Sequence, residues 1–266
     1  MAPRTRIAGE GYEIASGRAL IDGTGYYVAN GRTLIAGTGY DIPIEKPIAE
    51  LPVGSSVFLN VGGSLQEFLI VNQGNPDATK YDGSCDGAWL VMKDLHEKRA
   101  WDSADSDYEN SDVHTYLNST FLASLDVNVA AQIKQVKLPY LRGAGLTGQV
   151  YSRDNGLTTK VFLLSGYEVG FTNEDSFYFP TDGARLSYFE SGDTAGGTNR
   201  EKRITQLSGA ATSWWLRSAA TVDTKFVWSV SSYGSRDYVD CTTSHGIRPA
   251  LILPSDSKVD GDFRVV

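Results

Sequence analysis

The sequence predicts an α+β domain with two helices and a mixed or antiparallel sheet, preceded by a short β-structured stalk or anchor. Three observations support this fold class: residues 7–42 repeat with a period of 14, residues 111–136 carry two successive helical patterns, and several later stretches have the length and alternation of strands. We therefore expect repeats in 1–46, a proline-containing linker in 47–52 and the main domain in 53–266.

The repeat keeps its glycine, tyrosine and arginine positions in step. Residues 7–20 and 21–34 are two full copies, and residues 35–42 are a truncated third. Each copy holds two short apolar pieces separated by glycine turns, and residues 29–32 contain the Asn-Gly pair of a tight hairpin. One such unit cannot bury its own apolar face, so we expect it to stack on its neighbours or on other chains, with a flexible glycine-rich leader as the alternative. The predicted assembly residues are Ile7, Tyr12, Ile21, Tyr26, Ile35 and Tyr40.

Two helices are predicted in the first half of the main domain. Ser111 is a suitable N-cap for the first and Asp126 for the second. His114 has no partner at metal-ligand spacing and is assigned a structural role, and the glycosylation sequon at 118–120 is discounted because it falls inside the helix. The apolar faces comprise Val113, Tyr116, Leu117, Phe121 and Leu125 in the first helix, and Val129, Ala130, Ile133 and Val136 in the second.

An acidic cluster precedes the first helix. A calcium loop of the EF-hand type needs a glycine at the sharp turn, which this stretch lacks, so the pattern favours a solvated acidic loop over a metal site. No metal and no cofactor is predicted. The cluster contains Asp102, Asp105, Asp107, Glu109 and Asp112.

The last third of the main domain is predicted to combine buried core strands with an exposed hairpin. Residues 214–216 and 247–253 carry the apolar load of core strands, and residues 226–231 alternate as a half-buried strand does. Residues 232–235 then predict a turn, and residues 237–242 a returning strand. A hairpin rich in serine and tyrosine between rigid apolar ends is typical of a binding surface, although an ordinary solvated hairpin fits the same residues.

Composition excludes several functions. The net charge of −8 disfavours nucleic-acid binding and docking on an anionic membrane. No apolar run reaches the roughly 20 residues of a membrane helix, and the N-terminus lacks the apolar core of a secretion signal. Cys85 and Cys241 form neither a zinc knuckle nor a redox motif; they can pair, but free buried thiols are the expected state for a protein made in the cytoplasm.

Seven short motifs occur in a fixed order in this chain. They are Cys-Asp-Gly-Ala-Trp-Leu-Val-Met-Lys at 85–93, Tyr-Glu-Asn-Ser-Asp at 108–112, Tyr-Leu-Asn at 116–118, Val-Lys-Leu-Pro at 136–139, Phe-Leu-Leu-Ser at 162–165, Trp-Trp-Leu-Arg-Ser at 214–218 and Gly-Ile-Arg-Pro-Ala-Leu at 246–251.

The set resembles an uncharacterised domain family of gut bacteria and their phages. That family is similar to the C-type-lectin-like fold of formylglycine-generating enzymes and of the variable proteins of diversity-generating retroelements. The resemblance covers about residues 53–254, and the Gly-Tyr repeats look like the leader of phage-borne members. The calcium-lectin motifs Glu-Pro-Asn, Gln-Pro-Asp and Trp-Asn-Asp do not occur, and the two cysteines lie in separate motifs. Calcium-bridged sugar binding and oxidase activity are therefore not expected, whereas aromatic stacking on a sugar remains open.

In the diversified relatives, the variable surface lies near the C-terminus, which here corresponds to the segment between Arg217 and Gly246. The ligand-binding residues that the resemblance implies are Trp228, Ser229, Ser231, Tyr233, Ser235, Arg236, Asp237, Tyr238, Asp240, Thr242, Ser244 and His245, with Thr243 as a further display position.

Three function classes follow from this reading. We expect a non-enzymatic, virion-associated receptor-binding or adhesion protein on the tail or head surface, made in the bacterial host cytoplasm. Its expected partners are copies of itself (a trimer is the working guess), other virion proteins through the repeats, and a bacterial surface glycan or protein. A capsid or tail decoration protein without a ligand is the alternative. An enzyme ranks last, because a glycosidase needs two carboxylates about 5–10 Å apart, and Glu168 and Asp182 would be guesses.

Overall fold

In a computed structural model of the chain, the described residues are 45–143, 149–172, 179–189, 198–221 and 223–266, together with the backbone of six short strands closer to the N-terminus. The architecture is mostly β, with a few short helices.

The repeat region is β-structured, as its period predicts. Its strands are β1 (Arg4–Ile7), β2 (Glu10–Ala15), β3 (Arg18–Ile21), β4 (Thr24–Tyr27), β5 (Arg32–Ile35) and β6 (Thr38–Asp41). Strands β1 to β4 form an antiparallel meander, and β5 pairs with β6.

The same hairpin recurs at each period of the repeat. Arg4 pairs with Glu13, Arg18 with Tyr27 and Arg32 with Asp41, so each step along the chain is 14 residues. The Asn-Gly turn predicted at residues 29–32 lies largely outside the described residues, and so do the side chains of the six predicted assembly residues. These residues are Ile7, Tyr12, Ile21, Tyr26, Ile35 and Tyr40.

Ten strands lie in the described residues between 46 and 162. They are β7 (Lys46–Pro47), β8 (Ser56–Val61), β9 (Ser64–Gln73), β10 (Ala88–Met92), β11 (Glu97–Arg99), β12 (Val136–Leu138), β13 (Tyr140–Leu141), β14 (Val150–Tyr151), β15 (Leu157–Thr159) and β16 (Val161–Phe162).

Eight more strands follow in the part of the chain described beyond residue 198. They are β17 (Gln206–Leu207), β18 (Ala210–Ala211), β19 (Trp214–Ala219), β20 (Phe226–Val230), β21 (Arg236–Asp240), β22 (His245–Ile247), β23 (Ala250–Leu253) and β24 (Lys258–Val259).

The helices begin at the predicted caps. The first, α1 (112–124), contains a π turn at Leu117–Phe121, and the second is α2 (Val127–Gln132). The Ser111 Oγ accepts the His114 N–H at 3.2 Å, and the Asp126 carboxylate accepts the Asn128 N–H at 2.9 Å. A third helix, α3 (Thr198–Arg203), has no counterpart in the prediction.

The prediction for the second helix extends too far. Val136 was placed on its apolar face, but the helix ends at Gln132 and Ile133 already has an extended ψ of 122°. Lys134 N–H then donates to the Ile252 carbonyl at 2.9 Å, which draws the chain toward β23. Val136 is therefore buried in β12 and not in a helix.

Two five-stranded sheets organise the main domain. The first has the order β16-β23-β10-β9-β8 and is antiparallel throughout. The second has the order β11-β22-β19-β20-β21 and is mixed, because β19 and β22 run parallel. The chain passes from one sheet to the other four times: after β10, between β11 and β16, between β16 and β19, and between β22 and β23.

The central strands are buried on both faces. In β10, Leu90 packs in a first hydrophobic cluster on one face, while Trp89 packs in a second cluster on the other face. In β19, Trp215 lies in the first cluster and Trp214 in the second. Since successive side chains of a strand point to opposite faces, a strand covered on both sides is apolar except where a buried polar side chain has hydrogen-bond partners. This explains the apolar run Ala88–Met92 in β10 and the apolar residues 214–216 of β19, which are followed by the buried, hydrogen-bonded Arg217 and Ser218.

Residues 226–231 depart from the predicted half-buried strand. Val227 is buried in the first cluster, and Trp228 and Val230 are buried in the second. Both faces of β20 are covered because side chains of the two clusters pack above and below the strand. Its two edges are paired with β19 and β21.

Residues 47–52, expected to form a linker, are packed against the main domain. Lys46–Pro47 pairs with β24, and Ile48 is fully buried. The Gln73 side-chain amide donates to the carbonyls of Ile48 and Leu51 at 3.1 and 3.2 Å.

Replacing Trp215 with alanine should lower the free energy of unfolding by about 3–5 kcal/mol, because the ring is fully buried and its loss leaves a cavity. The ring Nε1 also donates to the Arg99 carbonyl at 3.0 Å. Urea unfolding measures the effect, and Leu65→Ala, at a side chain that is 48% exposed, is the control expected to change stability by less than about 1 kcal/mol. An unchanged midpoint for Trp215→Ala would contradict the assignment.

Candidate functional site

The candidate surface is the hairpin formed by β20 and β21 at one edge of the second sheet. Trp228 pairs with Tyr238, and Val230 with Arg236. The turn lies at the predicted residues, since Ser231 N–H donates to the Ser235 carbonyl at 2.7 Å and Gly234 N–H to the Ser231 carbonyl at 2.9 Å. The returning strand is shorter than the predicted 237–242.

The end of β21 is set by a side chain. The Asp240 carboxylate accepts both the N–H and the hydroxyl of Thr242, at 2.9 and 2.7 Å. Such an Asx turn offers the backbone an alternative to the β ladder and ends the strand. The same bonds lower the pKa of the Asp240 carboxyl, the backbone bond from Thr242 most.

Two tyrosines dominate the exposed part of the hairpin. The side chains of Tyr233 and Tyr238 are 70% and 50% exposed. Three further predicted binding residues are exposed, and five are half-buried. The exposed ones are Asp237, Thr242 and Ser244; the half-buried ones are Ser231, Ser235, Arg236, Asp240 and His245.

Trp228 and Ser229 are not displayed, contrary to the prediction. Both are buried, because neighbouring layers cover both faces of β20. The Trp228 ring lies 4.8 Å from the Phe179 ring and 5.2 Å from the Tyr238 ring, measured between centroids. Trp228 therefore supports the exposed Tyr238 from below and does not form part of the surface.

The hairpin turn is held from behind by α3. Arg203, itself fully buried, donates from Nε to the Gly234 carbonyl at 2.7 Å, and its guanidinium lies 4.2 Å from the centre of the Phe171 ring. Arg200 Nε donates to the Tyr233 carbonyl. The only sequence signal for this support is the basic end of Thr198–Arg203, and sequence reasoning missed it.

Gly234 is required at this turn for two reasons. Its φ is +77°, a conformation that side-chain-bearing residues rarely adopt. A Cβ at this position would also lie 2.2 Å from the Arg200 carbonyl oxygen. The turn and α3 thus pack too closely for any side chain at this position.

A buried polar centre lies deeper in the fold, around the Arg217 guanidinium of β19. Arg217 is fully buried, and its two terminal nitrogens form a bidentate ion pair with the Glu168 carboxylate at 2.5 and 2.6 Å. Its remaining donors reach three backbone carbonyls at 3.0 Å, those of Pro139, Leu163 and Asp182. All five guanidinium hydrogens therefore have acceptors.

The Glu168 carboxylate is equally well satisfied. It accepts the Tyr81 hydroxyl at 2.7 Å and the Ser165 N–H at 2.8 Å in addition to Arg217. Burial raises the pKa of the Tyr81 phenol, and the nearby Glu168 charge raises it further. These three partners fix the Glu168 side chain in a structural role.

Asp182 is the less satisfied member of this centre. Its Oδ2 accepts the Ser218 hydroxyl at 2.8 Å, while its Oδ1 is buried without a hydrogen-bond partner among the described residues. Burial raises the pKa of this carboxyl to about 7, although the Arg217 charge opposes the shift. Neither Asp182 nor Glu168, the two acids considered for glycan hydrolysis, reaches the surface.

Both cysteines are buried free thiols. Cys85 donates to the Lys137 carbonyl, 3.2 Å from its Sγ, and Cys241 lies in the first hydrophobic cluster. Burial raises the pKa of each thiol to about 11, so neither is a thiolate at neutral pH.

The acidic segment is more ordered than the predicted solvated loop. Asp102 is only 8% exposed, and its carboxylate accepts the backbone N–H groups of Ala104, Asp105 and Asp112 at 2.7–3.0 Å. Asp102 thus ties the loop to the start of α1.

Across the part of the chain that the structure describes, His, Cys, Asp and Glu side chains form no group of three or more suited to a metal.

His114 has two neighbours consistent with a structural role. Its Nδ1 lies 3.0 Å from the Glu109 carbonyl and its Nε2 lies 3.1 Å from the Thr159 hydroxyl. Burial lowers the pKa of its imidazole.

Among the described helices, none is long and apolar enough to span a membrane.

Residues 86–255 match one protein family, described as a domain of unknown function, DUF6273. The match covers more than half of the chain, from just before β10 to just after β23, and the chain therefore belongs to this family. It includes both central sheet strands, the buried polar centre and the hairpin. Curated proteins give no match, and neither do solved structures.

Replacing Asp182 with asparagine should remove part of the pH dependence of stability. The folded-state pKa of about 7 exceeds the ordinary 3.8, so the folded chain keeps a proton that the unfolded chain releases between these values. The free energy of unfolding of the native protein should therefore fall as pH rises from about 4 to about 7, by roughly 2–4 kcal/mol. Urea unfolding across this range should show a flatter profile for Asp182→Asn, whereas Asp154→Asn, at an exposed site, keeps the native slope. Parallel profiles for all three proteins would refute this role.

Replacing Glu168 with glutamine should cost about 3–5 kcal/mol of stability, because it leaves the buried Arg217 charge uncompensated. The matched control is Glu67→Gln, which breaks the partly exposed Lys93–Glu67 ion pair and should cost about 1 kcal/mol or less. If urea unfolding shows the same loss of unfolding free energy for both variants, the buried pair contributes no more to stability than the exposed one.

Proposed function

We propose that this chain is a non-enzymatic ligand-binding protein whose recognition surface is the hairpin of β20 and β21, centred on Tyr233 and Tyr238. The observation that carries the proposal is that two largely exposed tyrosine rings lie on a backbone fixed from behind by buried groups. Exposed aromatic rings on rigid supports are characteristic of binding surfaces.

Rigidity favours affinity at such a surface. Tyrosine has few rotatable bonds, so its ordering on binding costs little entropy, and a preformed backbone adds no further cost. Here Trp228 supports the Tyr238 ring, and Arg200 binds the Tyr233 carbonyl. The neighbouring hydroxyl and carboxylate groups of Ser231, Asp237 and Thr242 supply adaptable hydrogen bonding around the rings.

The proposal also covers the fold class of the main domain and the particle on which the protein is displayed. We place the main domain in the C-type-lectin-like class on the ordered motifs given above, with the hairpin at the position of the variable surface of such proteins. The hairpin repeats of β1 to β6 would assemble copies of the chain, with a trimer as the working assumption, and attach them to a phage particle. The ligand would be a glycan or protein of the bacterial envelope.

Changing Tyr233 or Tyr238 to alanine should weaken capture of the ligand at least about tenfold, because interface aromatics of this kind contribute about 2 kcal/mol or more. Stability should change little for Tyr233, which is 70% exposed, and by about 1 kcal/mol for Tyr238, which contacts two rings. The assay is binding of the purified protein to bacterial cells and to a glycan array.

The control for this pair is Phe263→Ala, which removes an aromatic ring that is 39% exposed outside the hairpin. Undiminished binding by a variant in which both Tyr233 and Tyr238 are changed to alanine, shown to be folded by circular dichroism, would overturn the assignment of the hairpin. Absence of binding by the native protein, shown to be folded and multimeric, would favour a decoration protein without a ligand.

Removing residues 1–44 should reduce apparent affinity for cells by about 100-fold or more while leaving the affinity of a single hairpin unchanged, since linked sites bind with high effective concentration. The deletion ends before Lys46–Pro47, which pairs with β24, so the main domain keeps this strand. Light scattering and binding assays on both proteins test the point. A deletion variant with native oligomeric state and native avidity would exclude the repeats as the assembly region.

A further inference from the structure

A groove separates the opposite edge of the second sheet from α1. Its volume is about 390 Å³, and it is open to solvent. Arg99 of β11 lines it on one side; Asp112, Thr115, Tyr116, Ser119 and Thr120 of α1 line it on the other. In α1 these positions form a polar stripe, whereas Val113, Leu117 and Phe121 point into the core.

The wall formed by α1 contains the π turn at Leu117–Phe121. A π turn inserts an extra residue into a helix and is frequently found at functional sites. Here it is fixed in place by Asn118, whose side-chain carbonyl accepts the N–H groups of Lys160 and Val161 at 3.0 and 3.1 Å and whose amide donates to the Val161 carbonyl at 2.8 Å. The adjacent Ser119 and Thr120 are consequently held at the groove by an anchored backbone.

The Arg99 guanidinium is also held in place. It lies 3.6 Å from the centre of the Tyr116 ring, and its Nε is 3.3 Å from a Glu97 carboxylate oxygen. The Tyr116 hydroxyl is itself 3.1 Å from His96 Nε2, which fixes the ring. Neither terminal nitrogen of Arg99 has a hydrogen-bond partner among the described residues, so both are available to a ligand.

The side chains around the groove differ in whether they donate or accept hydrogen bonds. Arginine only donates hydrogen bonds, an ionised aspartate only accepts them, and hydroxyls do both. A carboxylate or phosphate ligand would meet Asp112 of the groove wall, and Glu97, which lies outside the lining, already faces Arg99; an ammonium ligand would meet the Arg99 charge. A ligand bearing several neutral hydroxyls satisfies all of these groups without repulsion.

We propose that this groove is a second binding site, which takes a neutral polyhydroxylated ligand such as the end of a sugar chain. Adjacent hydroxyls of the ligand accept from Arg99, donate to Asp112 and exchange hydrogen bonds with Thr115 and Thr120. The site is distinct from the hairpin, because β11 and β21 are the two opposite edges of a five-stranded sheet, roughly 19 Å apart at ordinary strand spacing.

The test is a titration of the full-length, ¹⁵N-labelled protein with maltotriose, cellotriose, mannotriose and chitobiose, and with trigalacturonate as the acidic comparison. We expect saturable shifts of the amide resonances of residues 99–100 and 112–120 with at least one neutral sugar, and weaker shifts with trigalacturonate. Thr120→Val, which keeps the side-chain shape but removes the hydroxyl, and Asp112→Asn, which keeps an acceptor oxygen but removes its charge, should each weaken binding about tenfold.

Two controls repeat these substitutions away from the groove: Thr158→Val and Asp154→Asn, both at exposed positions. They should shift the groove resonances as the native protein does, and following residues 99–100 and 112–120 apart from the amides of residues 226–240 separates this site from the hairpin. The proposal is overturned if no neutral sugar shifts the groove resonances, if trigalacturonate binds there more tightly, or if the groove variants and their controls bind equally.

Discussion

The buried ion pair between Arg217 and Glu168 determines how the loops of the main domain are arranged. Arg217 projects from β19, and its donors end on segments that are far apart in the sequence: Pro139 after β12, Leu163 after β16, and Asp182 in a loop. A buried guanidinium is tolerated only when each hydrogen has an acceptor. The requirement therefore fixes the positions of all these segments relative to the second sheet.

The same arrangement connects the core to the surface. Arg217 and Ser218 bind the Asp182 loop, and Phe179, close to that loop, packs on Trp228 under the exposed Tyr238. Helix α3 adds a second support through Arg203 and the hairpin turn. A recognition surface of this kind owes its shape less to its own residues than to buried ones contributed by distant segments.

Local patterns predicted the elements that depend on local physics. The caps at Ser111 and Asp126 and the turn before β21 were identified correctly, because each depends on neighbours within a few residues. The burial of Trp228 and Ser229 was missed, since the layers that cover β20 come from other parts of the chain. The Glu168–Arg217 pair, 49 residues apart in sequence, leaves no periodic signal, and neither does the π turn in α1.

The identical pairing of the three N-terminal hairpins means that this region changes length in whole steps. An in-frame gain or loss of 14 residues adds or removes one hairpin and leaves every remaining pair in register, as Arg18–Tyr27 and Arg32–Asp41 are interchangeable by that shift. A change by an odd number of residues reverses the faces of all later strands. Recombination between the copies can thus lengthen or shorten the region without altering the domain it carries.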